Sequence, residues 1–187
     1  MLNPQLDRRG ELIHLLTTEG LPRRHVERLL DAAAGFAQED AAVANASTAT
    51  PATTSGTLAA SSAAPLDLPL YLGVPADDAE LRRAYASAGQ RLGLRPIPLG
   101  DDLPAGNIPA PAAGLPPGIL VLRHAASGAA VSAAAAAPSG LRILNAGDGI
   151  HADPLPALAR VAAMLRAKQD LTCLLYTSDA ADDTPCV

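Results

Sequence analysis

A chain of 187 residues is long enough to form one domain with a sizeable core. Hydrophobic residues make up 49% of it, but alanine dominates them, Phe36 is the only phenylalanine and tryptophan is absent, so buried area must come mainly from Leu, Ile and Val. The net charge of −5 argues against a nucleic-acid or anionic-membrane partner, and no apolar run reaches the roughly 18 residues of a membrane span. The N-terminus, Met1-Leu2-Asn3-Pro4-Gln5-Leu6-Asp7, lacks the charged-then-apolar layout of a signal peptide, so a cytoplasmic protein is expected.

In chain order, Glu11 to Leu16 is a short apolar element whose type the pattern leaves open. Residues 21–37 read as a helix, with Pro22 in its first turn and Val26, Leu29, Leu30, Ala33 and Ala37 on one 3.6-period face. Residues 40–65 are almost entirely Ala, Ser, Thr, Pro and Gly; such a stretch buries too little apolar surface to offset its ordering entropy and reads as a flexible linker. Leu68 to Leu72 reads as a strand and Asp77 to Leu92 as a helix, with Asp77, Asp78 and Glu80 as the acidic cap of a surface helix. Arg95 to Leu99 is a short strand that Pro96 and Pro98 confine to a sheet edge.

Gly100 to Gly118 reads as a Pro/Gly/Ala loop, Ile119 to Arg123 as a strand, and Ser127 to Ala137 as an Ala-rich helix stopped by Pro138-Ser139-Gly140. Arg142 to Asn145 is a fourth strand and Pro154 to Lys168 a fourth helix. Between them lies a polar, Gly-rich turn, the place where α/β folds hold anionic ligands at a helix N-terminus. The alternation predicts an α/β fold with a parallel sheet of about four strands, covered by helices on both faces. The expected organisation is an N-terminal helical segment (1–39), a linker (40–65), an α/β core (66–172) and a tail (173–187).

The tail, Cys173-Leu174-Leu175-Tyr176-Thr177-Ser178-Asp179-Ala180-Ala181-Asp182-Asp183, resembles the translation of a transposon-type sequencing adaptor. On that reading the natural sequence stops near Thr172 and the tail has no function. Cys173 and Cys186, 13 positions apart, make neither a metal site nor a dependable disulfide. His14, His25, His124 and His151 show no metal-ligand spacing. Gly147-Asp148-Gly149 is no dinucleotide fingerprint, and Ser127-Gly128 is no nucleophile elbow.

Three blocks carry a resemblance. They are Gly10-Glu11-Leu12-Ile13-His14-Leu15-Leu16-Thr17-Thr18-Glu19-Gly20-Leu21-Pro22 with the helix after it, Val121-Leu122-Arg123-His124-Ala125-Ala126-Ser127-Gly128-Ala129, and Asn145-Ala146-Gly147-Asp148-Gly149. In this order and spacing the chain resembles the N-terminal, carbamoyl-phosphate-binding domain of aspartate carbamoyltransferases. That family joins carbamoyl phosphate to the amino group of L-aspartate, the first committed step of pyrimidine synthesis, and needs no metal or organic cofactor. The resemblance implies that Arg123 contacts carbamoyl phosphate, and that Arg82, followed by Tyr85, stands near the second arginine of the family's phosphate motif.

The departures from the family's pattern concern the chemistry. The Ser-Thr-Arg-Thr-Arg cradle is replaced by Gly73-Val74-Pro75-Ala76-Asp77-Asp78-Ala79-Glu80-Leu81-Arg82-Arg83, in which the hydroxyls and first arginine are missing. Each carboxylate ~4 Å from a phosphate costs about 4 kcal/mol at an effective dielectric of ~20, and Pro75 offers no N–H. The loop 100–118, the counterpart of one that supplies a Ser and a Lys to the neighbouring subunit, contains no Ser, Thr, Lys or Arg before Gly118. The family's His and Gln correspond to Asp153 and Pro156, and a carboxylate cannot donate to a developing oxyanion. His151, two residues upstream, reads as a solvated loop histidine.

The expected protein is therefore a divergent, truncated aspartate-carbamoyltransferase-like chain, lacking the aspartate-binding domain, with no intact catalytic residue, weak or lost carbamoyl phosphate binding and no activity alone. Because the family's catalytic chains form trimers with shared sites, a homotrimer or a mixed trimer with active chains is the expected assembly, and a non-catalytic assembly paralogue is one alternative. Another is an α/β enzyme for a less charged ligand, which predicts that Arg123 and Asp153 face one pocket. A third, an unrelated α/β domain, predicts that the N-terminal block packs elsewhere.

Overall fold

The computed structural model describes residues 3–47, 67–99 and 112–168. Its centre is a four-stranded, wholly parallel sheet in the order β2-β1-β3-β4, with β1 at Pro69–Gly73, β2 at Arg95–Pro98, β3 at Gly118–His124 and β4 at Leu141–Asp148. The proline-bearing β2 occupies the edge, where its missing N–H groups cost no ladder bonds. Helix α2 (Ala79–Arg91) connects β1 to β2, α3 (Ala129–Ala136) connects β3 to β4, and α4 (Pro154–Lys168) follows β4.

Both faces are covered. On one, Leu120, Leu122, Leu141 and Ile143 pack with Leu16 and with Ala129, Ala130 and Ala133 of α3. Alanine suits that helix because its small side chains bring the backbone close to the sheet. On the other face, Leu70, Leu72, Val121 and Ala146 meet Leu81, Tyr85 and Ala86 of α2. The fit between β1 and β3 is close at Gly118, where a Cβ would stand 2.6 Å from the Pro69 carbonyl oxygen.

The open element near the N-terminus resolves as an extended segment bridged to β4. Leu15 forms a parallel bridge with Leu144: its N–H donates to Ile143 O (2.9 Å) and its carbonyl accepts from Asn145 N–H (2.9 Å). Gln5, buried, clamps the segment from behind, its Oε1 accepting from Leu16 N (2.8 Å) and Thr17 N (3.0 Å). The N-terminal block thus belongs to the same core as the sheet.

His14 closes the same contact, its Nδ1 accepting the Ile143 N–H at 3.0 Å. Burial first, and then the Arg142 charge, push its pKa below 6.5. The unfolded chain therefore takes up a proton before the folded one does, and stability present above about pH 6.5 is lost as pH falls through the folded value. Protonation also turns Nδ1 into a donor facing a donor, forfeiting a hydrogen bond of about 1 kcal/mol. Between pH 7.5 and 5.0 the urea midpoint should fall further in the wild type than in His14→Asn, whose amide oxygen accepts at any pH. Equal falls would remove His14 as the cause.

Both ends of α1 depart from expectation. Helix α1 spans Arg23–Ser47, so the first eight residues of the expected 40–65 linker are helical. The reason is local: alanine is the best helix former, and Ala41, Ala42, Ala44 and Ala46 continue the turn that the preceding face began. Residues 48–65, and the tail 173–187, lie outside the described residues. Pro22 stands just before α1, its carbonyl accepting the His25 N–H (2.9 Å), and Ala33 of the expected apolar face is exposed. Helix α1 packs beside α4, and the Arg91 guanidinium of α2 lies 5.8 Å from the Phe36 ring centroid. No helix among the described residues is long and apolar enough to cross a membrane.

Candidate functional site

The strand order reverses between β1 and β3, and in open parallel sheets the crevice outside the carboxyl ends of such strands is where ligands bind. A cleft of about 390 Å³ lies there, within the range of small-molecule sites. Pro75, Asp77 and Asp78 reach it from the end of β1, and Arg123, His124 and Ala125 from the end of β3. Gly147 lines it from β4, Gly149 from the turn after it, and Asp153 from the residue before α4.

The wall formed by β4 is shaped by a bulge. Leu122 pairs with Asn145 but His124 pairs with Asp148, so β4 carries one extra residue opposite β3. The expected Gly-rich turn is therefore strand over its first residues, 146–148, because this ladder continues to Asp148. Gly147 takes up the distortion at φ +109°, and a Cβ there would stand 2.8 Å from Arg123 Nη1 and 3.4 Å from Asp153 Oδ2. Arg123 and Asp153 thus face one pocket.

Asn145 and Asp148, the polar residues of the Asn-Ala-Gly-Asp-Gly signature, are fully buried. Asn145 Nδ2 lies within hydrogen-bond range of Leu16 O (2.8 Å), Asp148 Oδ1 (3.0 Å) and Ala152 O (3.2 Å), while its Oδ1 accepts from Gly147 N (3.0 Å). Asp148 also accepts from Ala152 N (3.1 Å) and Ala130 N (3.4 Å), and His151 Nδ1 lies 3.1 Å from its Oδ1. His151 is exposed in the turn after β4, as expected of a solvated loop histidine, and is also a partner of Asp148. The signature residues hold the N-terminal segment, α3 and the cleft wall together.

Arg123 lines the cleft, as expected of a binding residue, but its guanidinium is engaged. Nε is ion-paired with Asp78 Oδ2, and Nη1 donates to Ala146 O at 3.0 Å. Both side chains of the pair are 38% exposed, so the pair contributes at most about 1 kcal/mol to stability. Asp78 makes no side-chain capping bond to α2, and a 3₁₀ turn at Ala76–Asp78 precedes that helix. A helix cap is expected of the acidic residues; Asp78 instead pairs with Arg123, and Glu80 does not line the cleft.

Arg82 is placed differently. Its Nε and Nη2 donate to Val74 O at 3.1 and 2.6 Å, bracing the turn after β1, and it is not among the lining residues. Tyr85, on the same helix, feels the cleft: burial first, then the Asp153 charge, raise its phenol to about 12, with Arg123 acting in the opposite sense. It stays protonated near neutral pH. The structure brings Arg123 together with Asp77, Asp78 and Asp153, a grouping that linear spacing conceals because Arg123 and Asp78 are 45 positions apart. Pro156 is exposed in the first turn of α4, and of the loop 100–118, residues 100–111 lie outside the described residues.

The parallel sheet, its crossover helices and the cleft at the switch point define an open α/β domain of the ligand-binding type. The chain is similar to the catalytic subunit of aspartate transcarbamoylase from M. jannaschii, with a TM-score of 0.57 and 21% identity over 86% of this chain and 49% of that one. It thus spans about half the length of that neighbour. No protein-family profile matches the chain.

Proposed function

We propose that the chain is a carbamoyltransferase-like domain, derived from an aspartate carbamoyltransferase of pyrimidine synthesis, that does not by itself bind carbamoyl phosphate productively. The observation that carries this reading is the state of Arg123: among the described residues it is the one arginine lining the cleft, and it is paired with Asp78, while Asp77 and Asp153 line the same space. A phosphate dianion entering there meets three carboxylates and one guanidinium already engaged. The Asp153 carboxylate, at the position of the family's histidine, only accepts and supplies no donor to a developing oxyanion. Isothermal calorimetry with carbamoyl phosphate should give a Kd weaker than about 1 mM, above −4.1 kcal/mol; micromolar binding would refute the reading.

Two roles fit such a domain. In the first it assembles as a non-catalytic subunit, in a homotrimer or in a mixed trimer with an active catalytic chain. Native mass spectrometry after mixing with such a chain tests this, and the absence of mixed trimers removes it. In the second, the cleft takes a less charged small molecule without metal or organic cofactor. The facing of Arg123 and Asp153 across Gly147 supports this role, since the two offer a donor and an acceptor in one space. Arg82 serves either role only indirectly, by fixing the turn that carries Asp77 and Asp78. A cytoplasmic location accords with both.

A further inference from the structure

We infer that Asp78 is an internal anion seated on Arg123, and that this carboxylate, not any loss of the arginine, is what keeps oxyanions out of the cleft. The inference rests on the reading above and assigns its cause to one side chain. Several features point to it. Asp78 approaches the guanidinium from Nε, the edge that a planar oxyanion engages in a two-bond fork. Nη1 is fixed by Ala146 O, so Arg123 keeps its position without Asp78. Among the described residues Nη2 carries no hydrogen bond, which leaves a donor for a second oxygen. The missing side chain at Gly147 leaves open the space beside the guanidinium, within a cleft large enough for a phosphate-sized group.

Asp78 also contributes little that the fold requires. Its side chain is 38% exposed, makes no capping bond to α2, and is paired with Arg123. Its removal should therefore leave a folded protein with the guanidinium exposed to the cleft. The ligand class this predicts is a phosphate-type oxyanion held by Arg123.

The test is titration of the full chain and its variants with inorganic phosphate, followed by calorimetry and by the amide NMR signals of Gly147 and Gly149. Asp78→Ala should bind phosphate about tenfold or more tightly than the wild type, combining a freed guanidinium with the loss of a like charge. Adding Arg123→Gln to Asp78→Ala should abolish the gain. Asp77→Ala removes the same charge from the cleft without touching Arg123, and should give a clearly smaller gain. Equal gains in Asp77→Ala and Asp78→Ala would reduce the effect to net charge and overturn the inference, as would no gain in Asp78→Ala. Should Asp78→Ala not fold, Asp78→Asn preserves the shape and should still tighten phosphate binding relative to the wild type. Tight carbamoyl phosphate binding by the wild type would defeat the functional reading itself, a different outcome from an unresponsive Asp78→Ala.

Discussion

Asn145→Ala should lower the melting temperature by roughly 6–12 °C. Asn145 is fully buried and joins the N-terminal segment, the cleft wall and the turn before α4 through Leu16 O, Gly147 N and Ala152 O. Truncation strands those groups away from water, at about 1–3 kcal/mol for each one left unsatisfied. Relaxation recovers part of this, so a loss of about 3 kcal/mol is expected, and a domain of this size shifts by about 2–4 °C per kcal/mol. Asn145→Asp supplies the sharper comparison. It keeps the acceptor for Gly147 but sets a second carboxylate beside Asp148, whose Oδ1 lies 3.0 Å from Asn145 Nδ2. The near-isosteric aspartate should therefore destabilise more than alanine does. Thermal melts near neutral pH read both, and an Asn145→Ala protein within about 0.5 kcal/mol of the wild type would show that the signature does not hold the fold.

The second large effect is expected at Leu16, only 1% exposed and packed with Leu120, Leu122 and Ile143. Leu16→Ala should cost about 3 kcal/mol, within the range for buried leucines, because the surrounding strands cannot collapse into the space. Leu92, 43% exposed after α2, provides the control: Leu92→Ala should stay within about 0.5 kcal/mol of the wild type. Denaturant unfolding measures both. Equal, small effects would mean that residues 10–20 are not part of the cooperative unit, and would return the N-terminal block to an independent position.

The legible parts of the fold were those with strong local causes. Helix α4, Pro154–Lys168, carries a proline start and a long amphipathic run, and its expected bounds match the observed ones. The prolines of β2 marked it as an edge strand because a missing N–H is a local property. By contrast, Glu11 to Leu16 has no periodicity long enough to type it; it is extended only because β4 offers Leu15 a free ladder. The extension of α1 to Ser47 shows the converse error, since a composition that buries little can still favour helix through alanine.

The cleft divides in the same way. The place of Arg123 at a strand end among matching neighbours made its position at the cleft legible, and Asp153 and the acidic turn were legible as misfits with the family's chemistry. That Asp78 sits on Arg123 was not visible, because a 45-residue separation closes only when β1 and β3 lie side by side. Nor could spacing tell that Asn145 and Asp148 face inward, since a bulge decides which way each residue of β4 points.

The sequence by itself determined the alternating α/β order, the edge position of β2 and the supply of charges around the expected site, for these follow from local propensity, proline chemistry and composition. Only the tertiary structure decided which charges meet. Parallel strands place residues far apart in the chain at one carboxyl edge, and electrostatic pairing there depends on distance in space.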